Sequence, residues 1–526
     1  MAASANVSVR YIPGTGNNTA TSVAISGNIL TVTLSTNATG VVNATAADVL
    51  KVVINNPAAS ALAANYSVPG STSGFTAATI AAVAASGAPK TAAPAQFNVR
   101  TFGAVGDMKT KDTAAFQKAL DACAAAGGGE VVVPAGNYTV GSLVLGSNTT
   151  LRLEKDVFVI ESPDVEDYPI WDGRFEGAAA PVRRALISAN KANHIAIVGP
   201  GGLVATAGFA AQRYPRFPAR PPVVIEPVDC NDVILDGFSI QYDRATSPQI
   251  WCIHPNFCTN SVAKNLYIRS QGTNGDGLDI DACNNFLVDH CDISAGDDAI
   301  SIKSGRGMDA VRIGKPCKNV VIQNSTLVST HFAAVGFGTE ISGGVRNIKI
   351  QNCTMSGVQN CIFIKSRDGR GGYMEDITGE NLTINKSPTF IGIDLVSKGT
   401  QASEPVPGDI EKWTLVRNLT FKNIKVNNVT NLVETQRSAA GTGVSPDRPI
   451  DGLTLENITG TCTRSGITLT NVLNAHFSGI NITGYNGPLL TLTNVTGTGL
   501  DNVTVGTSAP PAPADVSSTP NAVPTP

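Results

Sequence analysis

A chain of 526 residues exceeds the usual size of one domain, so it is either several domains or one extended repeat array. Charged residues make up 15% and the formal charge is −3, which excludes a global electrostatic attraction to nucleic acid or to an anionic membrane. With 52 glycines, 30 prolines and no apolar run near the roughly 20 residues of a bilayer span, the composition points to turn-rich β structure and no membrane segment.

Residues 1–89 hold three charged side chains, Arg10, Asp48 and Lys51, in a background of Ala, Thr, Asn and Ser. Residues 7–11 and 29–34 alternate as strands, and residues 46–55 place Val49, Leu50 and Val53 on one helical face. The expectation is a small α+β accessory domain over residues 1–90, followed by a linker near residues 84–96.

Beyond Phe97, Asp112 is placed to cap a short helix whose Phe116, Leu120 and Cys123 share one face and which stops at Gly127. A helix there suits the open end of a solenoid, whose terminal coil would otherwise leave apolar surface in water. A strand-and-turn phrase then recurs, beginning at Asn285, Asn319, Asn347, Asn418 and Gly452, at irregular intervals. That pattern predicts coils of a parallel β-helix over residues 97–506, with aligned asparagines forming a ladder between rungs. A two-sheet sandwich is the alternative. Residues 507–526, rich in Pro, Ala and Ser, read as a disordered tail.

Ten cysteines in so long a chain do not make a disulfide scaffold. Cys291 and Cys353 hold equivalent places in two copies of the repeat and are expected as stacked, buried thiols; no ligand-spaced cysteine or histidine pair points to a metal, and no cofactor is expected.

Two acidic phrases lie about one coil apart: Asn274-Gly275-Asp276-Gly277 and Gly296-Asp297-Asp298-Ala299. Stacked on a solenoid, Asp276, Asp297 and Asp298 would face one groove, where mutual repulsion raises at least one pKa and keeps a proton for a general acid. An inverting glycosidase needs such an acid and an ionised carboxylate about 6.5–9.5 Å away to activate water. Each phrase alone also fits an ordinary turn.

With Phe337-Gly338-Thr339-Glu340 and Ile362-Phe363-Ile364-Lys365 downstream, the chain resembles the polygalacturonases of glycoside hydrolase family 28 from about residue 97 to residue 505. The resemblance implies an all-β, right-handed parallel β-helix, outside the cell, that hydrolyses α-1,4-galacturonan with inversion. It implies Asp297 as general acid, Asp276 and Asp298 as the pair that holds and deprotonates water, and Lys365 as the binder of a sugar carboxylate. Three departures stand out: Gly275 replaces Thr, Phe332 falls where the family has histidine with His331 one residue out of register, and Phe363 replaces arginine. Exo-acting relatives look like this variant, which makes exo action the expectation.

Arg367 and Arg370, on an expected loop rim, are candidates to replace the missing guanidinium, or form a solvated turn. His254, one coil before the first acidic phrase, either touches a sugar hydroxyl or is a buried structural histidine, and Asn274 either binds substrate or shapes its turn. Lys303 points to the groove or away from it. The expected partner is an anionic polysaccharide. The competing readings are a hydrolase of rhamnogalacturonan or another decorated pectin, a calcium-dependent pectate lyase, and a tailspike-like binder that cuts nothing.

Overall fold

The computed structural model describes residues 8–13, 20, 22–26, 29–34, 94–205, 219–242, 251–270, 272, 274–399, 408–435, 437–438, 441–500 and 503–505. The chain divides into two compact units, residues 1–95 and 96–526. In the first, Ser8–Pro13 pairs in parallel with Ile29–Leu34, which pairs antiparallel with Ser22–Ser26. The helix expected over residues 46–55 and the tail at 507–526 lie outside the described residues.

The second unit is a parallel β-helix of three stacked faces. One coil runs through Asn284–Asp289, turns into Asp292–Ala295, and turns again into Ile300–Lys303. Each strand pairs in parallel with its counterpart in the next coil: Cys317–Gln323, Thr326–Ser329 and Ala333–Phe337. Parallel pairing throughout this stack rules out the sandwich, whose sheets are antiparallel.

Alternation within each strand fixes what faces in. On the third face Leu278, Ile300, Val335, Ile362 and Ile391 lie in register and are fully buried, as are Ile280, Ile302, Phe337, Ile364 and Ile393 beside them. Burying one such aliphatic side chain is worth roughly 1.5–3 kcal/mol, and a one-residue slip would turn the whole row outward. The intervening outward row is therefore equally fixed: Asp279, Ser301, Gly336, Phe363 and Gly392.

Asparagines make the corners. Asn324, Asn352, Asn381, Asn423 and Asn457 all take left-handed backbone, a conformation their short amide side chain tolerates. Each amide donates to the residue one coil back, from Asn352 to Asn324 at 3.4 Å and on to Asn457 to Asn423 at 3.2 Å. A second ladder joins Asn260, Asn285, Asn319 and Asn347.

The helix Thr113–Ala125 packs Phe116, Leu120 and Cys123 against the first coil. Asp112 precedes it but makes no side-chain cap; its buried carboxylate instead accepts from the backbone N–H of Val105 (2.7 Å) and Gly106 (3.0 Å). All ten cysteines are buried. Cys291 and Cys353 share an inward column, with Ser325 in the coil between them, so the two sulfurs are not in contact. No helix among the described residues is long and apolar enough to cross a membrane.

A hairpin leaves the solenoid before the coil of Ile187–Asn190. Ile170–Phe175 and Ala178–Arg183 pair antiparallel, and the tip reaches the coils of Arg306 and Glu340. There the Gly177 carbonyl accepts from Arg306 N–H (2.9 Å), and Arg174 pairs with Asp309 at 3.2 Å. Gly177 adopts φ +76°, and a Cβ on it would stand 2.9 Å from the Glu340 side chain, so the close approach requires glycine.

Candidate active site

Register stacks the two acidic phrases. Leu278 pairs with Ile300, and Gly277 N–H donates to the Asp298 carbonyl at 3.0 Å, so the turn carrying Asp276 sits directly on the turn carrying Asp297 and Asp298. One oxygen of each carboxylate lies within 4.8 Å of the other two. Among the described residues this is the one group of acidic, histidine or cysteine side chains close enough to share a cation, and two lysines already supply positive charge to it.

The three carboxylates are held differently. Asp298, 1% exposed, accepts from Lys365 Nζ (2.6 Å), Ser301 Oγ (2.8 Å) and the Ala333 backbone N–H (3.2 Å). Asp276, 4% exposed, has Ser301 Oγ at 3.2 Å and Lys303 Nζ at 3.7 Å. Burial pushes its pKa well above the usual carboxylate range, and the charges of Asp279, Asp297 and Asp298 add to that against the pull of Lys303. Asp297 is half-buried and accepts from the Asp298 backbone N–H at 2.9 Å; burial and then the Asp298 charge raise its pKa.

A second layer of buried charge lies beneath. Lys303 points into the groove, 3.0 Å from Asp279 and 3.7 Å from Glu340, with its ammonium 3.7 Å from the Trp251 ring centroid. Burial alone would lower the Lys303 pKa, but Asp279, Glu340, Asp276 and Asp298 outweigh it and the net shift is upward. Glu226 joins Arg220 and His254, each at 2.9 Å.

These contacts revise several expectations. His254 is 1% exposed, with Nδ1 2.9 Å from Glu226 and Nε2 3.5 Å from Asp281, the surroundings of a buried structural histidine. Arg370 is 2% exposed; burial would raise the Glu340 pKa, but the charges of Lys303 and then Arg370 outweigh it and lower it, so Arg370 is a buried counter-ion and not a rim residue. Arg367, half-buried, donates to the Gly399 carbonyl. Asn274 is exposed, and its φ of +54° gives it the turn-shaping role. His331 is exposed and meets Thr330, whereas Phe332 packs on Phe363 at 5.4 Å between ring centroids and lies 4.2 Å from Lys365 Nζ.

Sequence reasoning passed over Asp279, Ser301, Glu340, Glu226 and Trp251. For Asp279 and Ser301 the signal was present, since a strand reading Leu-Asp-Ile-Asp above one reading Ile-Ser-Ile-Lys puts its polar members together on the outer face.

The model of glycosyl hydrolases family 28 matches residues 123–408, more than half of the chain. The protein belongs to that family and is a glycoside hydrolase. It is 28% identical over 371 residues to a probable polygalacturonase of Vitis vinifera, covering 68% of this chain and 72% of that one. The exopolygalacturonase structure from Thermotoga maritima superposes with a TM-score of 0.60 at 24% identity, covering 74% of this chain and 94% of the other. That of Yersinia enterocolitica gives 0.66 at 20%, covering 77% and 79%. At those identities the two structures establish the shared fold.

Proposed function

We propose that this family 28 hydrolase cleaves the α-1,4 linkage of polygalacturonate, an anionic polysaccharide outside the cell, from a chain end and with inversion. Asp297 donates its proton to the glycosidic oxygen as the C1–O bond breaks. Water held between Asp276 and Asp298 attacks C1 from the opposite face and gives up its proton to that pair. Lys365 shares its charge between Asp298 and the uronate carboxylate of the substrate. The observation carrying this reading is the stack itself: three carboxylates with oxygens within 4.8 Å of one another, of which Asp297 has its pKa raised by burial and by the Asp298 charge while Asp298 is held by Lys365.

The closest oxygens, within 4.8 Å, are nearer than the about 6.5–9.5 Å common in inverting pairs. Asp298, however, already accepts from Lys365, Ser301 and Ala333, which leaves it a poor nucleophile and favours attack by water. Proton NMR of the first product formed discriminates: the inverted anomer is expected, and a retained anomer contradicts the assignment.

Exo action is supported by the groove floor. Ser188, Glu226, His254 and Asn256, in the coils before the carboxylates, are all buried. Phe175, Val182, Val223 and Trp251 pack together as a separate apolar cluster, and Trp251 meets His254 edge to face. On this reading that end of the groove is covered and the polymer enters from the other. On polygalacturonate, early release of short products with slowly falling viscosity is expected; rapid loss of viscosity contradicts exo action.

The Phe332–Phe363 pair favours a second reading, in which the sugar beside this apolar wall is neutral, as in a decorated pectin such as rhamnogalacturonan. Turnover confined to such glycans in the same assay would select it.

A further inference from the structure

Resting on the hydrolytic reading, we infer that Lys303 is a positioning residue for the reaction: it offsets the cost of charge on the buried Asp276 carboxylate and holds it in place to accept a proton from water. Lys303 and Asp276 come from adjacent coils. Asp281 pairs with Lys303 across the sheet, which sends the lysine side chain outward along the groove floor toward the turn that carries Asp276. Its ammonium is fixed on every side: Asp279 at 3.0 Å, Asp276 and Glu340 at 3.7 Å each, and the Trp251 face at 3.7 Å. So tightly caged a cation has no reach toward substrate. Its effect passes through the carboxylates.

Asp276 needs such a cation. Asp279, Asp297 and Asp298 surround it with like charge, and Ser301 Oγ, which also donates to Asp298, lies between the two carboxylates. Lys365 is already on Asp298 at 2.6 Å. Among the described residues Lys303 is therefore the lysine or arginine in ion-pair contact with Asp276. The other charges facing the pair are His254, bridging Glu226 and Asp281, and Arg370 beside Glu340. Asp279 acts as the anchor: it fixes the ammonium at the closest distance while adding repulsion to Asp276.

Two substitutions should then move the acidic limb of the kcat profile in opposite directions. Lys303→Met removes the attraction, so Asp276 ionises only at higher pH; the limb should rise by about one unit or more, with kcat down by roughly 10²-fold and KM little changed. Asp279→Asn removes repulsion, so the limb should fall. Lys303→Arg should restore much of the loss. Carboxyl ¹³C NMR titration, with the Asp276 signal assigned by its disappearance in Asp276→Asn, reads the same shifts without turnover. It therefore separates failure of this inference from failure of the substrate assignment. If Lys303→Met does not fold, the Asp279→Asn titration decides. Unshifted Asp276 titration in the variants, or shifts of the same sign in both, would overturn the inference.

Discussion

Asp297→Asn is expected to lower turnover by about 10²–10⁴-fold while leaving the melting temperature equal to or above that of the parent protein. The first part follows from the loss of the one proton placed to meet the leaving oxygen. The second follows from linkage. The folded state holds the Asp297 proton more tightly than the unfolded chain does, so its contribution to stability is full at low pH and is lost as pH rises through the elevated folded pKa. Above that point the carboxylate costs stability, through burial and repulsion from Asp298, and the neutral amide relieves both. The asparagine side chain oxygen also keeps the bond from the Asp298 N–H, so the turn is preserved. Reducing-sugar kinetics and thermal unfolding on one preparation check both halves. Loss of stability in step with activity would mean that Asp297 is a structural residue.

Gly336→Ala is the second large effect, and it comes from a residue that carries no chemistry. Gly336 lies in the outward row between Ser301 and Phe363, and a Cβ there would stand 2.2 Å from an Asp298 carboxylate oxygen. A free aspartate would swing aside. Asp298 is pinned by Lys365, Ser301 and the Ala333 N–H, so either the carboxylate leaves its three partners or the strand moves. Displacement of a reacting group by about 1 Å can cost about 100-fold in rate, and that is the loss expected in kcat. Stability should fall by about 1–3 kcal/mol, the usual range for overpacking. A variant with unchanged kcat would show that the position of Asp298 does not govern the reaction.

The solenoid was legible because its cause is local. Inward Ile-x-Ile rows and left-handed asparagines both write themselves into each coil, and a recurring phrase reveals them. The meeting of Asp276 with Asp297 and Asp298 needed only one further step, the stacking of adjacent coils. What stayed hidden depends on distant packing. Nothing in residues 170–183 indicates that Arg174 and Gly177, at the turn of their hairpin, will meet Asp309 and Arg306 in later coils. Arg370 follows Gly369 in what reads as a surface turn, yet it is buried toward Glu340. His254 illustrates the same limit: its coil placed it under the groove, but its partners Glu226 and Asp281 come from the coils on either side. A charged residue in a turn carries no mark of whether a neighbouring segment will cover it.

The most direct measurement is a crystal structure of the Asp297→Asn variant with a bound oligogalacturonide. A glycosidic oxygen within hydrogen-bond reach of residue 297, with a water between Asp276 and Asp298 on the far side of the sugar, is the arrangement expected. An oligosaccharide bound elsewhere, or a scissile bond out of reach of all three side chains, would contradict the account.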